Sequence, residues 1–320
     1  MADVSVVINA YKRRSFVKEA LISTALQNVP KDRYEVIVVT DLNDSELDDL
    51  VAPYGHVIRY PDERGGAMYA KGIAEASGKV VAFLDDDDMF AQGKLKRVLD
   101  VYGSSKSLGL YRHAVTFVNE RGEPLIAPQG PLGTLRYLVA KYSQRLLKGT
   151  QGPDKNGPIT VLPEQFLTKN LEKEVRMFTE EEKEKVIRYL AEEVRRIRPD
   201  LYDPLYWLGF NSSSTTALRE PLLSYLEDIS RFYYAQDNAY VLIFLASDYG
   251  IVHEPLRLTL YRVHGQGQVM FRYGDDTAFV KKACNEYVEL RRLVEELKLE
   301  SLIDIDKTEA GGVKHLCKDA

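Results

Sequence analysis

The stretch Val80-Val81-Ala82-Phe83-Leu84-Asp85-Asp86-Asp87-Asp88-Met89-Phe90 constrains this chain more than any other. Five apolar residues run straight into four aspartates, and apolar residues follow at once. A run of that length and β-branched content predicts a strand buried on both faces, as in a parallel sheet. The aspartates then sit just past its carboxyl end, where open α/β sheets bind their ligands. Four adjacent carboxylates repel one another and are tolerable together only beside water or a cation. A solvated acidic turn and a hard-metal site are the two readings, and the position behind a buried strand favours the metal.

The residues before this stretch alternate between strand and helix patterns. Val4 to Ile8 predicts a first strand, and after Lys12-Arg13-Arg14 the hydroxyl of Ser15 is placed to cap a helix with Phe16, Ala20, Leu21, Thr24 and Ala25 on its apolar face. Tyr34 to Val39 predicts a second strand, ending in the polar turn Thr40-Asp41-Leu42-Asn43-Asp44-Ser45, and His56 to Tyr60 a third. Gly65-Gly66 opens a small-residue helix from Ala67 to Ala76, with Gly78 in the usual helix-ending position. Such alternation predicts an α/β fold: a mostly parallel sheet flanked by helices. No Gly-x-Gly-x-x-Gly follows the first strand and no Gly-x-x-x-x-Gly-Lys-Ser/Thr occurs, so dinucleotide and P-loop readings lack support. The strand ends Asn9-Ala10-Tyr11, Thr40-Asp41 and Asp85 to Asp88 would all share one rim. There a carboxylate such as Asp41 can accept from a base N–H or a ribose hydroxyl, and a metal at the aspartates can hold a diphosphate.

Composition narrows the class. With 320 residues, 45% hydrophobic, 28% charged and a net charge of -5, the chain has an ample core and no basic excess for nucleic acid. Cys284 and Cys317 are far apart and lack metal-ligand spacing, so neither a disulfide framework nor zinc is expected. That argues for a reducing, cytoplasmic setting. No apolar run reaches the ~18 residues of a membrane span, and Met1 leads within three residues into the first strand, without room for a signal peptide.

Taken in order, these motifs resemble the family 2 glycosyltransferases of the GT-A fold. The resemblance rests on Val4-Ser5-Val6-Val7-Ile8-Asn9-Ala10-Tyr11, Tyr34 to Val39, Arg64-Gly65-Gly66-Ala67-Met68-Tyr69-Ala70-Lys71-Gly72 and Phe83 to Asp88. It continues downstream in Gln236-Asp237-Asn238-Ala239-Tyr240, Glu254-Pro255-Leu256 and Tyr261-Arg262-Val263-His264-Gly265. It implies an inverting transfer from a UDP-, GDP- or dTDP-sugar, with Mg²⁺ or Mn²⁺ as cofactor. Asn9, Ala10, Tyr11, Asp41, Arg64, Gly65 and Lys71 would line the donor, with Asp41 at the base. Asp85 and Asp86 would orient the ribose and the metal ligands, and Asp87 would ligate the metal. His264 would reach the diphosphate or its metal, and Asp237 would be the general base. Asp228, in Leu226-Glu227-Asp228, is the rival base. The chain departs from the family where Asn9 replaces Pro, where Thr40-Asp41-Leu42-Asn43 replaces Asp-Asp-Gly-Ser, and where Gln236 replaces Glu. Two other readings stay open: a sugar-nucleotide-binding module without turnover, and a haloacid-dehalogenase-like phosphatase, whose Asp-x-Asp the run superficially fits.

The expected organisation is a nucleotide-sugar half at 1–118, a largely helical insertion at 119–205, an acceptor and catalytic half at 206–268, and a C-terminal helix with tail at 269–320. From Pro124 to Pro153 there is no Asp or Glu, while Arg136, Lys141, Arg145 and Lys148 alternate with Leu135, Leu138, Val139, Tyr142 and Leu146. Residues 135–148 could therefore touch an anionic membrane surface or a polyprenyl phosphate, which would associate the chain with the cytoplasmic face. They could equally cover the active site or pack on the core. Thr179-Glu180-Glu181-Glu182 is a capping box for a helix to about Ile197. Trp207 and Asn211, in an aromatic then polar run, are candidates for a saccharide acceptor. The last amphipathic helix, Thr277 to Leu299, would pack on the core or on a second subunit of a homodimer, with a loosely ordered tail after Asp304.

Overall fold

The computed structural model describes residues 2–12, 14–123, 211–262, 277–300, 303, 305 and 317. Its centre is the pair of strands β1 (Val4–Ala10) and β4 (Val80–Asp85), both predominantly apolar and buried on both faces along most of their length. Helix α1 (Arg14–Ala25), β2 (Tyr34–Thr40), α2 (Ser45–Val51), β3 (Gly55–Arg59) and α3 (Gly65–Glu75) lie between them in sequence. After the aspartates come β5 (Met89–Phe90), α4 (Lys94–Ser104) and β6 (Leu108–Val118). Beyond the undescribed middle follow β7 (Thr215–Leu218), α5 (Arg219–Leu223), α6 (Leu226–Ser230), α7 (Gln236–Leu245), β8 (Gly250–Arg262) and α8 (Thr277–Glu296).

The strands form one sheet in the order β3-β2-β1-β4-β7-β6-β8-β5. Its first four strands are parallel, as the alternation predicts. Beyond β4 the sheet is mixed: β7 runs antiparallel to β4 and β6, and β5 antiparallel to β8, while β6 and β8 are parallel. The downstream half thus extends the same sheet. Register sets the functional rim directly, since Asn9 pairs with both Val39 and Asp85, and Ala10 with Thr40. Phe83 stands on β4 between two helices, stacked on Tyr240 of α7 at 4.4 Å and edge-on to Tyr69 of α3 at 5.3 Å. Such aromatic pairs add roughly 0.5–1.5 kcal/mol beyond area burial. Here they also fix where two tyrosine hydroxyls emerge.

Several sequence expectations change. Ser15 lies inside α1, which begins at Arg14, so it is not the cap. Gly78 is not a left-handed helix terminator: α3 ends at Glu75 with Ala76 as its C-cap, and a Cβ on Gly78 would stand 2.6 Å from the backbone nitrogen of Ser5. The glycine is needed because the chain passes against β1. The cysteine expectation is overturned outright. Cys284 of α8 is bonded to Cys317, with Cα atoms 5.4 Å apart, which removes the premise for a reducing compartment. Nor is the end of the chain wholly loose, because Ile303 and Ile305 are buried and Cys317 packs against the core. Reduction should lower the unfolding free energy by up to roughly 3–4 kcal/mol on a chain-entropy view. Thermal melting with and without a thiol reductant, and of Cys317→Ser, checks this.

Helix α8 uses its apolar stripe on the core, where Tyr287, Leu290, Leu293 and Val294 are buried. The face considered for a second subunit is therefore occupied. Among the described residues no helix is long and apolar enough to cross a membrane. The basic segment 135–148, the capping box at Thr179 and most of the expected insertion lie outside the described residues.

Candidate active site

The carboxyl rim of β1, β2 and β4 brings Asn9 beside Asp85 and places Ala10 beside Thr40, one residue before Asp41. Asp85, at the end of β4, receives the Tyr69 hydroxyl on Oδ1 at 2.8 Å and the Ser213 hydroxyl on Oδ2 at 3.4 Å, while its own N–H donates to Ser213 Oγ at 2.9 Å. Asp86 is buried, and its N–H bonds to the carbonyl of Asn9 at 3.1 Å, stitching the run to β1. Asp87 is half-buried.

Asp88, to which the sequence attached no role, is the structural member of the four. It is 1% exposed, accepts the Arg262 N–H at 2.9 Å and the Asn211 side-chain amide at 3.3 Å, and so ties the run to the end of β8. Burial, then the charges of Asp87 and Asp85, push its carboxyl well above the usual carboxylate range.

Two buried cations shape the back of this turn. Lys94 of α4, fully buried, donates to the carbonyl of Ser213 and to Thr259 Oγ1 at 3.3 Å, and lies 3.6 Å from the Phe90 ring centroid. Its desolvation pushes the ammonium well below the ordinary lysine value, with Asp88 pulling the other way. Arg262 donates from Nε to the carbonyl of Asp87 at 2.8 Å, and its guanidinium reaches Glu19 and the carbonyl of Glu120. The backbone of the run is therefore held from β1, β8 and the 212–214 turn together.

Asp237 opens α7 at 6% exposure. Burial raises its carboxyl well above the carboxylate range; the guanidinium of Arg112 on β6 lowers it and Asp85 raises it further. Tyr240, one turn on, is fully buried with its hydroxyl unpartnered, and Asp237 and Asp85 both act on it. Among the described residues, Oδ1 of Asn9, Oδ1 of Asn238 and Oε1 of Gln236, whose Nε2 is held by Ser212 Oγ at 2.9 Å, are also buried without a partner. Buried polar atoms without partners are rare in folded proteins. Their concentration beside Asp237 and Asp85 marks a place for a polar ligand. Asp228, the rival base, is ion-paired with Arg292 of α8 at 2.8 Å and braces that helix.

The remaining predicted residues are placed as follows. Asp41 Oδ1 accepts the N–H of Lys12 at 2.9 Å, which fixes Lys12 at φ 58 in the loop after Tyr11; the Lys12 ammonium lies 4.7 Å from the Tyr11 ring centroid. Arg64 is paired with Asp62 at 2.7 Å and Lys71 with Glu75 at 2.7 Å. The N–H groups of Gly65 and Gly66 donate to the carbonyls of Tyr233 and Phe232, each at 3.0 Å, so the start of α3 braces the segment leading to α7. A Cβ on Gly66 would come within 2.0 Å of the carbonyl oxygen of Ile229. Gly66→Ala should therefore cost about 1–3 kcal/mol by overpacking, read as a lowered denaturant midpoint with unchanged m-value. Asn211 is 4% exposed and uses its amide internally, accepting from Ser214 N–H at 2.9 Å and donating to Asp88; contact with an acceptor would require those bonds to open. Trp207 and His264 lie outside the described residues.

A divalent cation fits the chemistry of the rim. Asp85 and Asp87 offer hard oxygen donors at the carboxyl edge, and both charges are felt by Asp88. Among the described residues no three His, Cys, Asp or Glu side chains converge on one point. The protein alone makes no closed cage here, and water and phosphate oxygens would have to complete the ligand set, as is usual for magnesium.

Comparison with known proteins agrees with this geometry. Residues 5–144 match the family model described as Glycosyl transferase family 2. A relative in Bacillus subtilis, a putative teichuronic acid biosynthesis glycosyltransferase, is 32% identical over 105 residues, 30% of this chain and 40% of that one. The chain thus matches less than half the length of that relative. In fold it is similar to the Staphylococcus aureus TarS fragment 1–349 in complex with UDP-GlcNAc, at TM-score 0.51 and 16% identity, covering 90% of this chain and 66% of that one. It is equally similar to a Pyrobaculum calidifontis mannosyltransferase in complex with GDP-Man and Mn2+, at TM-score 0.51 and 12% identity, covering 99% and 70%. Residues 5–144 thus match glycosyl transferase family 2, and the sheet they belong to has the fold of the two solved glycosyltransferases.

Proposed function

We propose that this protein transfers a sugar, with inversion, from a nucleoside-diphosphate donor to a hydroxyl or lipid-phosphate acceptor. The observation that carries the reading is Asp237: a buried carboxyl that feels the charge of Asp85, with unpartnered buried oxygens on its neighbours Gln236 and Tyr240 and on Asn9. A carboxyl raised by burial is a stronger base than a solvated one, which suits proton abstraction from an acceptor hydroxyl. As the acceptor oxygen attacks the anomeric carbon, its proton passes to Asp237. The bond from that carbon to the diphosphate breaks, and the nucleoside diphosphate leaves with the electron pair.

Asp87, with Asp85 and Asp86 beside it, would hold Mg²⁺ or Mn²⁺. When bound, such a cation supplies Lewis-acid neutralisation of the leaving diphosphate. Asp41, Tyr11 and Asn9 are our candidates for the base and ribose end, and His264, beyond the end of β8, for the diphosphate. The named ligands of the two structural neighbours, UDP-GlcNAc and GDP-Man, are the first donors to try.

The second reading is a module that binds sugar nucleotides without turning them over, favoured by Gln236 standing where the family carries Glu. A panel of UDP-, GDP- and dTDP-sugars with Mn²⁺ or Mg²⁺ separates the two, read as thermal shift and as release of nucleoside diphosphate. Ligand stabilisation grows with concentration over Kd, so even a weak donor registers in excess. Stabilisation with release supports transfer. Stabilisation without release, with the full acceptor panel of saccharides and polyprenyl phosphates present, supports the binding module.

A further inference from the structure

Helix α8 lies outside the matched residues 5–144, yet one of its turns reaches both the loop before α3 and the segment before α7. Glu286, 7% exposed, points its carboxylate into the segment before α7. It accepts the N–H of Tyr233 at 2.6 Å on one oxygen and that of Ala235 at 2.9 Å on the other. Asn285 donates to the carbonyl of Arg231 at 3.1 Å. Lys282 pairs with Glu63 at 2.8 Å and lies over the rings of Tyr233 and Tyr234, at 5.0 and 5.9 Å. Tyr233 in turn accepts Gly65 N–H, so α8, the 63–65 loop and the 231–235 segment close on one another.

The residue that precedes α7, Ala235, has no side chain able to cap the helix. Glu286 instead holds the N–H of Ala235, the residue before the helix, and that of Tyr233 two residues earlier, so the segment entering α7 is fixed by a carboxylate from another helix. We propose that Glu286 is a positioning residue for the transfer reaction, fixing the direction in which α7 starts and hence the placement of Asp237 against the donor. The inference rests on the glycosyltransferase reading. A carboxylate is required because both of its oxygens accept. An amide in its place would turn an N–H₂ toward one of the two N–H groups. Burial lifts the Glu286 carboxyl to about 7, against the pull of the backbone donors of Tyr233, Ala235 and Tyr234. A group held at that cost has a geometric job that an apolar residue could not do.

The test uses the full chain, with Glu286→Gln and Glu286→Ala alongside Glu286→Asp. Hydrogen exchange of the 231–238 amides is measured first, without any ligand. Loss of protection there by roughly tenfold in Glu286→Gln, with the core strands unchanged, is expected. Release of nucleoside diphosphate from UDP-GlcNAc and GDP-mannose with Mn²⁺ is measured next. For Glu286→Gln kcat should fall roughly 10–100-fold through misplacement of Asp237, while donor KM and the Kd of UDP or GDP stay within about twofold. Glu286→Asp should fall between Glu286→Gln and wild type. Unchanged exchange at 231–238, or an unchanged kcat in Glu286→Gln, overturns the inference. A kcat loss matched by an equal loss of nucleotide affinity overturns it too, since that marks general loosening. If the wild type releases nothing from any donor, the transfer reading fails, and exchange alone still decides whether Glu286 fixes the segment.

Discussion

Asp237→Asn is expected to cut transfer by about 10²–10⁴-fold, the usual contribution of a positioned general base, while UDP or GDP binds as it does to the wild type. The steady-state rate with a saturating donor and calorimetric titration of the nucleotide check the two halves. The same variant should melt no lower than wild type at pH 7. The folded-state value of Asp237 is raised, so its contribution to stability is fully present below its unfolded value and is lost as pH rises through the folded one. Above the unfolded-state value the ionisation of this buried carboxyl works against the fold, and Asn removes that opposition. Activity should show the opposite trend, falling as pH drops through the raised value, because only the ionised form accepts a proton. A variant that lost activity and stability together would mark Asp237 as a packing residue.

Asp87→Ala is expected to be nearly as damaging. Lewis-acid stabilisation of a leaving diphosphate is worth several kcal/mol, so its loss should reduce the rate by roughly 10²–10³-fold at ordinary Mn²⁺ concentrations. Chelation of the wild type should reproduce the effect and added metal should reverse it. Calorimetric titration of Mn²⁺ in the presence of UDP or GDP gives a readout independent of turnover, and Asp87→Ala should lose that binding. Asp88→Ala should behave differently. Asp88 holds the Arg262 N–H and the Asn211 amide in the interior, so its loss should lower the melting temperature sharply. Two neighbours in one acidic run would then separate into a ligand-binding and a fold-holding carboxylate.

How much of this was legible in the chain varies with the kind of signal. The parallel half of the sheet was readable because β1, β2 and β4 are predominantly apolar runs with polar residues at their carboxyl ends, and register does the rest. The antiparallel strands were not. β7 is only Thr215–Leu218 and β5 only Met89–Phe90, too short to carry a period. Within the aspartates, the resemblance suggested roles for Asp85, Asp86 and Asp87 but none for Asp88, whose burial depends on where β8 ends, 174 residues away along the chain.

The cysteine pairing was missed for a similar reason. Residues separated by 33 positions showed no spacing rule, and only α8 packing on the core brings the tail back to Cys284. Lys94 was hidden because a lysine opening an amphipathic helix reads as solvated; the packing of α4 against the 212–214 turn buries it. Tyr69 and Tyr240 looked like ordinary core aromatics. They are that, packed around Phe83, and in addition the Tyr69 hydroxyl bonds to Asp85 while that of Tyr240 is buried without a partner. Glu286 gave no signal at all, because its partners are backbone amides.

The central claim is that a donor diphosphate and its cation sit at the carboxyl rim between β1 and β4, within reach of Asp237. Crystals grown with Mn²⁺ and UDP or GDP, with data collected at the manganese absorption edge, test it most directly. The account predicts one anomalous peak at coordination distance from the Asp87 carboxylate, with the nucleotide extending toward Asp41 and Tyr11. A peak remote from the 85–87 carboxylates, or a nucleotide bound away from this rim, would contradict it.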